Sequence, residues 1–209
     1  MRSFTRILGV LLIMMALVLF FWQDIRAFFT DIVNDRIIEA YENGDDNVNV
    51  NILEKFITGI EPGDKQGVKI KDDMAGIIKI ESAGISEPIY YGELTEEKLR
   101  NGVSMLESTD SLDMQNVPIA GHRVEGAGIR FNYIDRAEKG DTIEIITRDG
   151  KREYEITDIF EVTPDRVDIL QQSEGDPQIL TLITCEDYNP DTLLFEKRLI
   201  VQAEIKSDS

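Results

Sequence analysis

The chain has 209 residues, with 40 acidic side chains against 22 basic ones and a formal charge of −18. That balance leaves no basic stripe to displace counterions and argues against a nucleic-acid partner, and a solvated, soluble surface accounts for the acidity. One cysteine and one histidine allow no internal disulfide and no zinc site built from soft ligands alone, while the length allows about one domain with a sizeable core.

From Ile7 to Trp22 no side chain is charged or strongly polar, with Arg2 and Arg6 ahead of the run and Gln23-Asp24 behind it. The run is slightly short of the roughly 20 residues that cross a hydrocarbon core, but Phe4 and Thr5 extend it if Arg6 snorkels to the headgroups. The arginines on its amino side predict a cytoplasmic amino terminus and an external remainder. A cleaved signal peptide is the rival reading, and no small-residue cleavage site follows Trp22. Residues 1–23 are thus expected to form a cytoplasmic tip and single-span transmembrane helix. Apolar residues at Ile25, Phe28, Phe29, Ile32, Val33, Ile37 and Ala40 then recur at the helical period, with Phe28-Phe29 also suited to a membrane interface. Glu42 to Asn47 reads as a stop, Val48 to Ile60 as a further short helix, and Glu61-Pro62-Gly63-Asp64 as punctuation. Residues 24–66 are expected to be a membrane-proximal helical linker, and 67–209 one extracellular domain.

Past that boundary the texture changes to short strands. Gly76 to Ile80, Ile85 to Tyr90, Val117 to Ala120, Thr142 to Thr147, Arg152 to Val162, Ile179 to Cys185 and Lys197 to Ile205 read as strands. Thr95 to Leu99 reads as a capped helical turn, and Phe131 to Ala137 and Asp165 to Gln171 as short helices. Asp149-Gly150 is the strongest hairpin signal. Connections this short leave little room for crossover helices, so the pattern predicts a mostly β domain, a closed or nearly closed barrel or a sandwich.

Cys185, the only soft nucleophile, ends one strand, and His122, the only side chain that ordinarily exchanges protons near neutral pH, follows another. An imidazolium stabilises a neighbouring thiolate and can protonate a departing amine. A guanidinium such as Arg198, on the last strand, suits the oxyanion formed when a thiolate attacks an amide. Together the three make an acyl-transfer set, unlike the papain arrangement in which an Asn or Asp orients the histidine. Read without further context, each of the three is also compatible with a structural place. Glu107, Asp110 and Asp113 could coordinate a hard cation or be solvated carboxylates.

Ile119-Ala120-Gly121-His122, Phe131 to Ala137 with Lys139-Gly140-Asp141, Leu180-Thr181-Leu182-Ile183-Thr184-Cys185-Glu186-Asp187-Tyr188-Asn189, and Glu196-Lys197-Arg198 closely resemble the sortase family, class A in particular. The likeness covers roughly Gly76 to Lys206, in the order histidine, cysteine, arginine. It implies a closed eight-stranded barrel with short helices, behind an amino-terminal anchor in a Gram-positive cell membrane. It further implies a cysteine transpeptidase that cleaves an LPXTG-like sorting signal between Thr and Gly and passes the thioacyl group to an amine of a peptidoglycan precursor. Cys185, His122 and Arg198 then form the catalytic set, and Ala120, Leu170, Ile183 and Thr184 belong to the groove that receives the signal.

Calcium-activated members of the class hold the ion with acidic side chains on the loop before the histidine and the loop before the cysteine strand. Here Glu107 and Asp110 match two of those carboxylates, while Met114 and Gln172 stand in the places of two others. A thioether and a neutral amide are poor ligands for a hard cation, so no cofactor and no dependence on calcium are expected. Two alternatives remain: a membrane-tethered barrel that binds peptides or wall components with Cys185 merely buried, and a pilin-polymerising sortase. The latter is expected to carry a lid segment and a second hydrophobic span, and neither is evident.

Overall fold

The computed structural model of the chain describes residues 2–60, 68–70, 73–123, 130–173, 176–189 and 194–208. Helix α1 (Arg2–Phe20) is followed after Phe21 by α2 (Trp22–Asn43), bent from it by 62°. Among the described residues no single helix is long and apolar enough to cross a membrane; Arg6–Phe20 and Trp22–Asn43 reach the necessary length and composition only as a bent pair. The apolar side chains of α1 from Ile7 to Phe20 are largely exposed. Gly44, with φ of 77°, caps α2 in the left-handed region, where its amide donates to the Tyr41 carbonyl.

Strand β1 (Asn47–Val48) pairs with β2 (Val68–Lys69), and between them α3 (Ile52–Thr58) occupies only the middle of the helix expected over 48–60. Asn51 and Glu54 form a reciprocal capping box at its start. The expected boundary near residues 64–67 lies outside the described residues.

Eight further strands make the domain: β3 (Met74–Ile80), β4 (Ile85–Tyr90), β5 (Val103–Met105), β6 (Asn116–Ala120), β7 (Thr142–Ile146), β8 (Lys151–Val162), β9 (Ile179–Asn189) and β10 (Leu194–Asp208). They close a barrel in the order β10-β8-β7-β3-β4-β5-β6-β9, with β4/β5 and β6/β9 parallel and the other pairs antiparallel. The eight-stranded closed barrel is therefore present. Among the described residues of the barrel domain one α-helix is present, α4 (Glu96–Asn101), and it begins at the Thr95 cap where the sequence places it. The other two expected helices shrink to single 3-10 turns, Ile134–Arg136 and Asp168–Leu170, each ended by a residue in the extended region, Ala137 and Gln171.

Alternation along the strands fills the barrel: Ile78 and Ile80 of β3, Val117 and Ile119 of β6, Leu180 and Leu182 of β9, and Leu199, Val201 and Ala203 of β10 share one core. A second core lies outside the barrel wall, where Val33, Ile37 and Tyr41 of α2 pack with Ile77 of β3 and Tyr90 of β4. Its presence explains why Gly76 to Ile80 is apolar at nearly every position, since β3 is covered on both faces. Val33 and Ile37 are fully buried, each worth about 1.5–3 kcal/mol of apolar burial, and the Tyr41 hydroxyl donates to the Ala75 carbonyl at 3.3 Å. Helix α2 is thus fastened to the barrel along its carboxyl half.

Candidate active site

Strand β9 lies between β6 and β10, and its register assembles the site. Cys185 stands directly opposite Arg198 in the antiparallel pair with β10, while Ile183 stands beside Ala120 in the parallel pair with β6. Leu180, Leu182, Leu199 and Val201 occupy the core, so Ile183, Cys185 and Arg198, of opposite parity, belong to the outer face of the wall. Cys185 is a free, half-buried thiol. The Arg198 guanidinium donates through Nη1 to the Lys197 carbonyl at 3.0 Å and to Phe195 at 3.4 Å, two bonds that do not exhaust its five donors.

The parallel ladder continues one step beyond β6, because the Gly121 amide donates to the Ile183 carbonyl at 3.0 Å. His122 is therefore delivered to the same end of the wall as Cys185. Its carbonyl accepts from the Phe131 amide at 3.1 Å, and Nε2 lies 3.4 Å from Glu96 Oε1 at the start of α4. Gly121 is required by space: a Cβ there would sit 2.5 Å from the Phe131 ring. The imidazole is about one-third exposed, at 31%, and so accessible to a reacting group.

The expected groove residues divide. Ala120 and Ile183 are half-buried neighbours on the outer face. Leu170 is carried over the start of β6 by the 3-10 turn Asp168–Leu170, where Asn116 Nδ2 donates to the carbonyls of Ile169 and Gln171 at 2.9 and 3.4 Å. Thr184, by contrast, has the parity of Leu180 and Leu182, is 2% exposed, and its hydroxyl has no hydrogen-bond partner among the described residues. Its side chain lies on the inner side of the wall, away from Ile183 and Cys185.

The acidic loop before β6 is engaged in its own structure. Asp110 Oδ2 accepts the amides of Leu106 and Glu107 at 3.1 and 2.8 Å, Asp113 pairs with Arg152 at 2.6 Å, and the Met114 sulfur accepts the Ser111 amide at 3.4 Å. Gln172 forms a two-way clasp on the Asn116 backbone, accepting its N–H and donating to its carbonyl, both at 2.9 Å. Gln115 adds a second clasp, donating to the Pro177 carbonyl at 2.9 Å and accepting the Ser173 amide at 2.8 Å. The clasps made by Gln172 and Gln115, and the places of Glu96, Glu87 and Arg130, are not foreseen in the sequence, where Gln172 figures only as a poor cation ligand. Glu87 alone leaves a trace there, as the one charge in the strand Ile85–Tyr90.

A thiol paired in register with an arginine within β9, on the outside of a closed barrel whose neighbouring strand β6 leads into a histidine, is the architecture of a cysteine acyl-transfer enzyme. The sequence profile described as the sortase domain matches residues 78–206. The chain belongs to the sortase family and is a cysteine transpeptidase of the kind represented by sortase A. It is 38% identical to sortase A of Staphylococcus aureus over 203 residues, covering 96% of this chain and 95% of that one. Among solved structures, a sortase D5 transpeptidase of Clostridium perfringens is similar at 29% identity and a TM-score of 0.59, over 84% of this chain and 99% of that one. Listeria monocytogenes sortase A shares the fold at 24% identity and a TM-score of 0.57, over 65% and 89% of the two chains.

Proposed function

We propose that this chain cleaves an LPXTG-like sorting signal between Thr and Gly and joins the threonine to an amine of a peptidoglycan precursor, with Cys185, His122 and Arg198 as its reacting groups. The observation that carries the assignment of residues is the register that sets Cys185 against Arg198 and Ile183 beside Ala120, with His122 two residues further. The Cys185 sulfur attacks the threonine carbonyl carbon, forming C–S, and the oxyanion is held by Arg198. The C–N bond to glycine then breaks as His122 gives its proton to the departing amine. The incoming amine attacks the thioester, its proton passes to His122, and the C–S bond breaks to release the Cys185 thiolate. Ala120, Ile183 and Leu170 supply apolar surface for the signal's leucine and proline.

The chain is anchored by α1, with its amino terminus cytoplasmic and its barrel outside. Supporting this reading are the arginines before the apolar run and a continuation of exposed apolar surface beyond it. Ile52, Leu53 and Phe56 of α3 are exposed, and the Phe56 ring stands edge-on to Trp22 at 6.4 Å.

Calcium has no part in this activity. Supporting this reading, Asp110 Oδ2 accepts two backbone amides, both polar atoms of Gln172 are used by Asn116, and Met114 offers only a thioether, a poor ligand for a hard cation. A several-fold activation by millimolar calcium, reversed by chelator, would overturn that statement.

The test of the main reading is mass spectrometry of the detergent-solubilised chain with an LPXTG peptide and a candidate amine, beside Cys185→Ala. An acyl adduct on Cys185 and an amine-exchanged product, both missing from the variant, are expected. A folded chain that gives neither across several signal variants returns the barrel to a peptide-binding role.

A further inference from the structure

We propose that a buried cluster of Asn34, Glu87 and Arg130 is a brace through which the membrane-proximal helix α2 positions His122. The proposal rests on His122 serving the reaction as described above. Each of the three side chains comes from a different part of the chain and each residue is only 3% exposed. Glu87, on β4, accepts the Arg130 backbone amide at 2.7 Å through Oε1, and through Oε2 it accepts the Arg130 guanidinium and, at 2.9 Å, Asn34 Nδ2 from α2. Asn34 Oδ1 accepts Arg130 Nη1 at 3.3 Å, and Arg130 Nη2 donates to the Arg100 carbonyl in the last turn of α4.

A buried ion pair contributes little net stability once its desolvation is counted, but breaking one side of it is costly, so its effect is to fix geometry. Arg130 shows that constraint directly. Its φ of 57° lies in the left-handed region, which a long side chain adopts only when its surroundings hold it there. From Arg130 two routes lead to the histidine. The next residue, Phe131, is fully buried, donates its amide to the His122 carbonyl and packs its ring against Gly121. The second route runs through α4, whose carboxyl end accepts from Arg130 and whose first residue, Glu96, faces His122 Nε2. A shift of Arg130 therefore moves both the backbone and the ring partner of His122. Asn34 makes α2 a party to that placement, and α2 begins at Trp22, where the apolar helix ends. The orientation of the chain at its membrane is in this way connected to the proton-transfer group of the site.

The experiment uses the full chain in detergent with its histidine ring carbon-13 labelled. One histidine gives one ring signal to follow. Asn34→Leu keeps the size and removes both polar links. It is expected to move the His122 signal and its titration midpoint and to lower kcat about 10-fold with KM little changed, as misplacement of a reacting group does. Arg130→Lys keeps the charge, loses the fork that reaches three partners at once, and should do the same. Ile37→Val, which loosens α2 without touching the cluster, should leave signal, midpoint and kcat as in the wild type. The brace is overturned if either cluster variant matches the wild-type signal and midpoint, or if Ile37→Val displaces them equally. A displaced signal with unchanged kinetics upholds the brace and removes His122 from the reaction instead.

Discussion

Gln172→Leu probes the clasp that ties the connection between β8 and β9 to the start of β6. The wild-type amide makes two hydrogen bonds of 2.9 Å to the backbone of Asn116, a residue 3% exposed, and leucine removes both while keeping the volume. Each bond is worth about 1 kcal/mol net. Because Gln172 itself lies at the surface, water can reach the freed groups, which holds the loss to about 2 kcal/mol and avoids the larger penalty of a sealed, bare amide. That corresponds to a roughly 30-fold rise in local opening. Hydrogen exchange at the Asn116 amide, followed by mass spectrometry of the peptide that contains it, reads the change directly. Since Asn116 also holds the carbonyls on either side of Leu170, KM for the sorting signal should rise more than kcat falls. Gln172→Glu can still accept the Asn116 amide but cannot donate to its carbonyl, so it should lose about half as much protection. Unchanged exchange at Asn116 in Gln172→Leu would refute the assignment of the clasp.

Partial desolvation of its carboxyl, on a residue that is otherwise exposed, raises Asp31 from 3.8 to about 6 with help from the charges of Glu87 and Asp35 and against the pull of Arg130. The folded chain therefore keeps this proton to higher pH than the unfolded one, and the stability it confers is lost as pH rises from about 4 to 6. With solvent screening of an exposed carboxylate, Asp31→Asn should gain about 1 kcal/mol on the wild type between pH 4.5 and 7.5 in urea unfolding, and parallel curves would contradict this. Thr184→Val removes a buried hydroxyl that has no partner among the described residues and should be neutral or stabilising by up to about 1 kcal/mol, measured as a rise in Tm with activity retained. Trp22, the only tryptophan, should be quenched by brominated lipids when the chain is reconstituted into vesicles, and emission indifferent to those lipids would count against anchoring through α1.

What was legible in the sequence was whatever alternation and turn chemistry encode locally. The strands containing Ile119 and Leu182, the Thr95 cap and the Asp149-Gly150 hairpin all lie where the pattern puts them, although β9 runs on to Asn189, past the Cys185 at which the sequence ends it. The closure of the barrel and the opposition of Cys185 to Arg198 depend on pairings between distant strands; the eight-strand closure came from the resemblance, not from periodicity. The facing of Thr184 is not given by its adjacency to a reactive residue: the next residue along a strand points the other way, and Thr184 has the parity of the core residues Leu180 and Leu182. The role of α2 was hidden for a different reason. Its apolar stripe was visible, but nothing in Val33 or Ile37 names the outer wall of a barrel as the surface they cover, and Asn34 is unremarkable until Glu87 and Arg130 are found beside it.

The two sides of the site are held in chemically different ways, and the charge of the chain gives a reason. The β8–β9 connection is fastened by neutral amides, Gln172 and Gln115, whereas the histidine side is fastened by an ion pair sealed from water. On the surface of a chain with a formal charge of −18, carboxylates gathered to hold an exposed loop would repel one another unless a cation were always bound. Amide bonds avoid that repulsion and are indifferent to ionic strength, so the groove side should keep its shape as salt or divalent ions vary. A charged brace is tolerable on the other side because Arg130 and Glu87 are removed from the solvent that would screen them, and their attraction is correspondingly insensitive to salt. Both devices thus lead to the same expectation, that hydrogen-exchange protection around Asn116 and Phe131 remains constant between low and high salt while the exposed pairs, such as Lys139 with Asp158, weaken.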